Sequence, residues 1–364
     1  MGFKCGIIGL PNVGKSTIFN ALTAAGAEVA NYPFCTIDPN VGIVQVPDER
    51  LYRIADIVRP PKVTPTTIEI LDIAGLVKGA SKGEGLGNKF LGHIREVEAL
   101  VHIVRCFDHP SVAHIYGTVD PERDVDIINT ELIIADLETV ENRITKISRL
   151  AKTGEKVARK ELATCERIKG VLSKGDTARE MTFQEDEQIT VTDLHLLTAK
   201  KVLYVSNVSE SALKGATECI EKVQSIARKE SSKAIAICGD LEAEIAELPK
   251  DEQQVFLNDL GIQESGLSKL IREAYNLLGL ITFYTTVGPE LRAWTVPRGS
   301  KAPEAAGKIH SDMQKGFIKA DIIHYNDFIR MGSLSSAREA GLIRIEGRDY
   351  VIADGDIAYF RFNV

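Results

Sequence analysis

Apolar residues recur along this chain with three different spacings, and each change of spacing predicts a change of architecture. Short, nearly continuous apolar runs come first: the stretch ending in Gly6-Ile7-Ile8, then Val41 to Val46, Thr67 to Leu71 and Val101 to Phe107. Between them lie runs with helical spacing, Ile18, Phe19 and Leu22, then Phe90, Ile94, Val97 and Val101. Buried strands alternating with amphipathic helices predict an α/β unit with a parallel sheet. From about residue 126 the spacing changes. Ile133, Leu137, Val140, Ile144 and Ile147 step by four, three, four and three, which is a coiled-coil seam. Thr153-Gly154 breaks it, and Leu162, Cys165, Ile168 and Leu172 mark a returning helix, so the pair reads as an antiparallel hairpin. The α/β pattern resumes with Lys201 to Ser206, a helix from about Ala216 to Lys229, and Ala234 to Cys238. After Gly279, strand-like runs (Ile281 to Val287, Leu291 to Val296, Ile318 to Tyr325, Tyr350 to Ala353, Ala358 to Phe362) surround one helix, Ala302 to His310. Strands around a single helix suggest an α+β, ubiquitin-like β-grasp module. The expected organisation is a nucleotide-binding domain in two parts, 1–125 and 200–278, interrupted by a helical hairpin over 126–199 and followed by a small domain over 279–364.

The first strand runs into Gly9-Leu10-Pro11-Asn12-Val13-Gly14-Lys15-Ser16-Thr17, which satisfies G-x-x-x-x-G-K-[ST] in full and opens a helix. Gly9 and Gly14 let the backbone wrap closely enough for successive N–H groups to face phosphate oxygens, and the helix N-terminus adds partial positive charge. Lys15 reaches the β- and γ-phosphates, and the Ser16 hydroxyl is a Mg²⁺ ligand. This predicts a P-loop NTPase sheet. The loop Asn31 to Asn40 supplies Thr36 as the candidate second hydroxyl on Mg²⁺, while Thr66 and Thr67 fit that role less well. The next strand ends in Asp72-Ile73-Ala74-Gly75, where Asp72 would hold Mg²⁺ through water and the Gly75 N–H would meet the γ-phosphate. Leu76 stands where Ras-type enzymes carry a water-orienting glutamine. Leucine cannot orient water, so either intrinsic hydrolysis is slow or another group does the work, and His93, His102 and His114 all lie around this region. Gly79, Gly83, Gly85 and Gly87 crowd the segment after it.

Asn207-Val208-Ser209-Glu210 occupies the place of the N-K-x-D motif by which GTPases read guanine. Val208 removes the lysine stem, and Glu210 is one methylene too long for the paired aspartate contact. Losing such a bidentate contact costs about 1–3 kcal/mol of base discrimination. Backbone contacts plus Asn207 suit adenine, which favours ATP over GTP.

Composition narrows the class. The chain has 364 residues, 44% hydrophobic and 26% charged, with a net charge of −7, which suits a soluble globular protein and argues against a general nucleic-acid binder. The charge is uneven. Arg143 to Arg179 holds eleven Lys/Arg against four Asp/Glu, and Gly279 to Val364 eleven against ten, so the rest is strongly acidic. A local basic stretch on an acidic protein suggests a polyanion such as RNA, or else a solvated helix face. No apolar run approaches membrane length, and no signal-peptide pattern opens the chain. Six scattered cysteines offer no metal-binding spacing and fit a reducing cytoplasm.

Taken together these motifs resemble the YchF/Obg-like ATPase family. G-F-K-C-G-I-I-G-L-P-N-V-G-K-S-T, N-Y-P-F-C-T-I-D-P-N, D-I-A-G-L-V-K-G-A-S-K-G-E-G-L-G-N-K-F, N-V-S-E and the terminal F-R-F-N-V carry the resemblance over the whole chain. It implies a translation-factor-class P-loop protein with a coiled-coil insert and a C-terminal TGS domain. It implies a cytoplasmic ATPase with Mg²⁺, whose partners are ATP and the ribosome, the large subunit or the whole particle, met through ribosomal RNA or protein with RNA favoured; no membrane or DNA partner is expected. It also implies that Asn12 to Thr17 bind phosphates, that Ser16 and Thr36 bind Mg²⁺, and that Asn207 and Val208 contact the base. His114 would substitute for the missing glutamine, and Asn12 matches an asparagine that ligates K⁺ in related switch proteins. An Obg-type GTPase and an RNA-binding adaptor with vestigial hydrolysis remain the alternatives.

Overall fold

The computed structural model describes residues 3–25, 40–73, 86–215, 217–286 and 288–363. Contacts divide the chain into two units, one of Phe3–Gly42 and Glu69–Leu270, the other of Ile43–Ile68 and Ile271–Val364.

The chain opens with β1 (Lys4–Ile8), α1 (Lys15–Ala25) and β2 (Val41–Gln45). It continues through α2 (Glu49–Val58), β3 (Lys62–Thr64), β4 (Thr67–Asp72), α3 (Leu86–Arg95) and β5 (Ala99–Cys106). The hairpin helices α4 (Pro121–Lys152) and α5 (Lys156–Leu172) and the short α6 (Gln188–Leu194) follow. Then come β6 (Lys201–Val208), α7 (Glu218–Lys229), β7 (Lys233–Ile237), α8 (Gly239–Glu247), α9 (Lys250–Asp259) and α10 (Gly266–Leu277). One six-stranded sheet has the order β2-β4-β1-β5-β6-β7. β1 pairs in parallel with β4 on one side and β5 on the other, and β5, β6 and β7 continue in parallel. The first seven residues of β5 are buried, as its apolar run requires of a central parallel strand.

α4 is 32 residues long, about 48 Å. It is capped by the Asp120 carboxylate, which accepts from the Arg123 N–H, and carries Pro121 at its first turn. The predicted seam is the hairpin's core: Ile133, Val140 and Ile147 pack with Cys165, Ile168 and Leu172, with Leu137, Ile144 and Leu162 against them. Gly154 turns the chain at φ +97°. The base of the hairpin is closed by buried Asp136, which accepts from the N–H groups of Leu197 and Thr198 at 2.9 and 2.8 Å. Much of the basic stretch is neutralised within the hairpin, by Arg143–Glu161, Lys160–Asp186, Arg167–Glu187 and Lys169–Glu141 pairs. Lys146, Arg149, Lys152 and Lys156 are exposed around the hairpin turn.

Cys106 at the end of β5 and Cys219 at the start of α7 form a disulfide, with Cα atoms 5.7 Å apart. This corrects the expectation of reduced cysteines for that pair. A sequence separation of 113 residues gives no sign of such proximity. Cys5, Cys165 and Cys238 are free and buried.

The second unit contains β8 (Leu280–Thr285), β9 (Glu290–Pro297), α11 (Ala302–Ile309) and α12 (Ser311–Lys315). It ends with β10 (Phe317–His324), α13 (Tyr325–Met331), α14 (Leu334–Glu339), β11 (Arg344–Glu346) and β12 (Asp356–Phe362). Its sheet runs β11-β10-β12-β8-β9-β3. β8 and β9 form an antiparallel pair, β12 lies parallel to β8, and β10 runs antiparallel to β12. This is the expected β-grasp core, with Ala302, Ala305 and Ala306 of α11 packed on Phe283, Ile322 and Phe360. Two features differ from the expectation. Tyr350 to Ala353 is no strand and makes only an isolated bridge, Lys301 to Val351. More importantly, residues 43–68 group with this unit: β3 adds to the sheet edge beside β9, and Leu51 and Ile54 of α2 join Tyr284, Ile323, Phe328 and Ile357 in a second core. Asp48 caps α2, accepts from the Tyr284 hydroxyl at 2.5 Å and pairs with Arg50, which also pairs with Asp354.

Candidate nucleotide site

Gly9 and Gly14 end and begin elements whose approach excludes a side chain. Gly9 has φ +151° and Gly14 φ +93°. A Cβ on Gly9 would meet the Ile103 carbonyl at 2.5 Å, and one on Gly14 would run into the Asn207 amide. Asn12 holds φ +61° without being glycine, a conformation asparagine tolerates better than most residues. The loop between β1 and α1 therefore wraps as its motif predicts.

A cleft of about 290 Å³ is lined by Asn12, Gly14, Lys15, Ser16 and Thr17 from this loop, by Phe107, His109 and Val112 beyond β5, and by Asn207 and Asp240. Six predicted site residues thus meet in one place: Asn12, Gly14, Lys15, Ser16, Thr17 and Asn207. Lys15 is buried, donating from Nζ to the Leu10 carbonyl at 2.7 Å. Burial lowers its pKa to about 8, against the opposing pull of Asp72. Asp72 stands at the end of β4, where burial raises its pKa while Lys15 and a hydrogen bond from Ser16 hold it down. Its Oδ1 is buried without a hydrogen-bond partner. A buried, unpartnered carboxylate oxygen next to a serine hydroxyl is a hard-oxygen donor set, which fits Mg²⁺. Thr36 and Gly75, and with them Cys35 and Leu76, lie outside the described residues.

Asn207, at the end of β6, is only 4% exposed. Its Nδ2 donates to the Val13 carbonyl at 2.9 Å, and its Oδ1 accepts from the Gly239 N–H at 2.9 Å. It bridges the phosphate loop to the start of α8 and keeps one amide hydrogen for another partner. Val208 is 2% exposed and Glu210 is exposed, and neither lines the cleft. Gly239 and Asp240, which no motif marks in the sequence, join the site: the Gly239 N–H donates to Asn207 and Asp240 lines the cleft. The tight turn before a helix N-terminus was the available signal.

The histidines separate by environment. His102 is buried beside Tyr204, ring centroids 5.4 Å apart, and burial lowers its pKa to about 3, so it is a neutral core residue. His93 is exposed on α3. The His114 side chain is 4% exposed, with Nε2 2.8 Å from Asp124 Oδ2. Its Nδ1 accepts from the Tyr116 N–H at 3.1 Å. Both ring nitrogens are occupied, and the cleft wall carries His109 instead.

Comparison with known proteins agrees with this architecture. Residues 4–143 match a family described as 50S ribosome-binding GTPase. Residues 280–363 match the C-terminal domain of YchF GTPases, a domain described as of unknown function. The Ribosome-binding ATPase YchF of Bacillus subtilis (strain 168) is 53% identical over 366 residues, covering 100% of both chains. That of Escherichia coli O157:H7 is 50% identical over 364 residues with the same coverage. A solved structure of the Schizosaccharomyces pombe YchF GTPase superposes with a TM-score of 0.90 at 37% identity, covering 99% of this chain and 98% of that one. A phosphate loop, a carboxylate strand end, a seam-packed hairpin and a β-grasp unit in one chain, at half identity to these relatives over its full length, make this protein a member of the YchF family.

Proposed function

We infer that this chain is a ribosome-associated ATPase that hydrolyses ATP to ADP and phosphate and switches with its nucleotide state. The observation that carries this reading is the convergence of Gly14 to Thr17 with Lys15, Asn207 and the Ser16–Asp72 pair. The loop N–H groups and the α1 N-terminus hold the phosphates, and Lys15 leaves the Leu10 carbonyl for the β- and γ-phosphate oxygens. Ser16, Thr36 and, through water, Asp72 would hold Mg²⁺, which would supply charge neutralisation at those oxygens. Water attacks the γ-phosphorus in line as the bond to the β–γ bridging oxygen breaks, and the water's proton passes to an oxygen of the departing phosphate. Lys15 and the loop N–H groups take up the charge that develops on that oxygen. His114 orients the water once it is released from Asp124; while Nε2 is held by Asp124 and Nδ1 by the Tyr116 N–H, the imidazole has no free site for water.

Adenine is favoured by what the base side lacks. A buried Val208 offers no lysine stem, and Glu210 is exposed and does not line the cleft. Asn207 and main-chain groups remain, with Phe107 as the apolar wall. A second reading, an Obg-type GTPase, has one point in its favour: the matched family and the fission-yeast relative are described as GTPases, whereas the curated relatives are called ATPases. Equilibrium binding of ATP and GTP analogues with Mg²⁺ decides between them. Tighter ATP binding by tenfold, about 1.4 kcal/mol, supports adenine; tighter GTP binding transfers the argument to the GTPase with the phosphate chemistry unchanged. For the ribosome, the support is the exposed basic cluster at the hairpin turn and the name of the relatives. No helix among the described residues is long and apolar enough to cross a membrane. In the adaptor reading, Lys15→Ala leaves ribosome association unchanged whichever nucleotide is supplied.

A further inference from the structure

β5 is apolar except at two buried positions, and one of them is an arginine. Arg105 is 2% exposed, and no carboxylate pairs with it among the described residues. Its guanidinium donates to three main-chain carbonyls: Nε to Phe107 at 3.1 Å, Nη1 to Asn12 at 3.0 Å and Nη2 to Val112 at 2.7 Å. It also lies 4.5 Å from the centre of the Phe107 ring. Burying a guanidinium costs several kcal/mol before its partners repay it, and an aliphatic residue would hold this strand position at less cost. The placement of its partners explains the choice. Asn12, Phe107 and Val112 come from two separate segments, and all three line the nucleotide cleft. In the β5–β6 register Arg105 stands beside Asn207, the other side chain that ties the phosphate loop down. Asn12 adds a parallel tie, its Nδ2 donating to the Ala113 carbonyl at 3.2 Å.

We propose that Arg105 is a positioning residue for the nucleotide site: it clamps the phosphate loop to the Phe107–Val112 wall, so that the nucleotide enters a cleft whose two sides are already set. This rests on the cleft being the nucleotide site. The fork is essential to it, because three carbonyls reached from three different nitrogens cannot be satisfied by one ammonium. It also makes the segment from Phe107 to Ala113 move with the phosphate loop, which gives a signature that a core-filling arginine would lack.

The test compares the wild-type chain with Arg105→Lys and Arg105→Gln. A non-hydrolysable ATP analogue with Mg²⁺ is titrated well below each variant's melting temperature. Both variants are expected to bind at least tenfold more weakly, lysine failing to rescue although it keeps the charge. A folded variant with a lowered Tm and unchanged affinity makes Arg105 merely structural and overturns the proposal. Wild-type chain that binds no analogue refutes the site reading itself, a distinct result. Should neither variant fold, hydrogen exchange on the wild-type chain decides. The analogue is expected to slow exchange in 107–113 together with 9–16, and protection confined to 9–16 overturns the clamp.

Discussion

Asn207→Asp exchanges one amide nitrogen for oxygen and separates two roles for this side chain. As a bridge, Asn207 donates to the Val13 carbonyl and accepts from the Gly239 N–H, both at 2.9 Å. The acid keeps the second bond and inverts the first, setting a carboxylate oxygen against a carbonyl oxygen in a buried place. An orphaned buried carbonyl costs about 1–3 kcal/mol, and desolvating the new charge adds to it, so the apo protein should lose at least about 2 kcal/mol. At about 2–4 °C per kcal/mol for a domain of 150–250 residues, the thermal midpoint should fall by at least about 4 °C. The deficit should shrink as pH falls toward 5, because a protonated carboxyl can again donate to Val13. Denaturant unfolding without nucleotide, at pH 7.5 and pH 5, measures both. If Asn207 served only to touch the base, apo stability would stay within about 0.5 kcal/mol of wild type, and that result would refute the bridge.

Other consequences are as direct. Lys15→Ala should abolish measurable nucleotide binding and single-turnover hydrolysis; the buried Leu10 carbonyl loses its donor, a cost of about 1–3 kcal/mol that removal of a buried cation partly offsets, so the apo protein should stay folded, as calorimetric titration and urea unfolding check. His114→Ala should bind the analogue normally and hydrolyse ATP more slowly in single turnover, and an unchanged rate would remove His114 from the mechanism. Ile168→Ala at the buried hairpin seam should cost about 2–5 kcal/mol, read from urea unfolding. His102, at about pKa 3 when folded, takes no proton near pH 5, whereas the unfolded chain does below about 6.5. Stability should therefore fall as pH drops from 6.5 toward 3, by about 2 kcal/mol between pH 7.5 and pH 5 from this group alone. His102→Phe should flatten that limb.

What the sequence made legible was local. The phosphate loop, the carboxylate strand end and the heptad seam are each a pattern within some thirty residues, and each formed as its spacing dictates. What escaped was set by long-range pairing. β3 joins β9 through Lys62 and Glu290, a partnership no periodicity announces, so 43–68 read as part of the nucleotide domain. Arg105 sits inside an apolar run and reads as an interruption, since its meaning comes from three carbonyls delivered by other segments. His102 attracted attention as a histidine near the switch region; full burial beside Tyr204 makes it a core residue.

The cleft walls are loops, and what fixes them is a set of side-chain to main-chain bonds rather than a ladder. Asn207 joins the phosphate loop to α8, Arg105 joins it to Phe107 and Val112, and Asn12 joins it to Ala113. Further along the same segment, His114 is tied to Asp124 at the start of α4. One short stretch, 107–117, is thus anchored to the phosphate loop at one end and to the long hairpin helix at the other. Ile115 and Tyr116 within it are exposed, so few apolar contacts hold its far end, and opening there should cost little compared with unfolding the sheet. A change in phosphate-loop occupancy therefore has a mechanical route to α4 that passes through the His114–Asp124 bond. Asp124→Asn tests that route: it should weaken the imidazole's anchor and raise single-turnover hydrolysis if release of His114 limits the rate. A rate that falls or stays level would mean that the Asp124 anchor serves the hairpin and not the nucleotide.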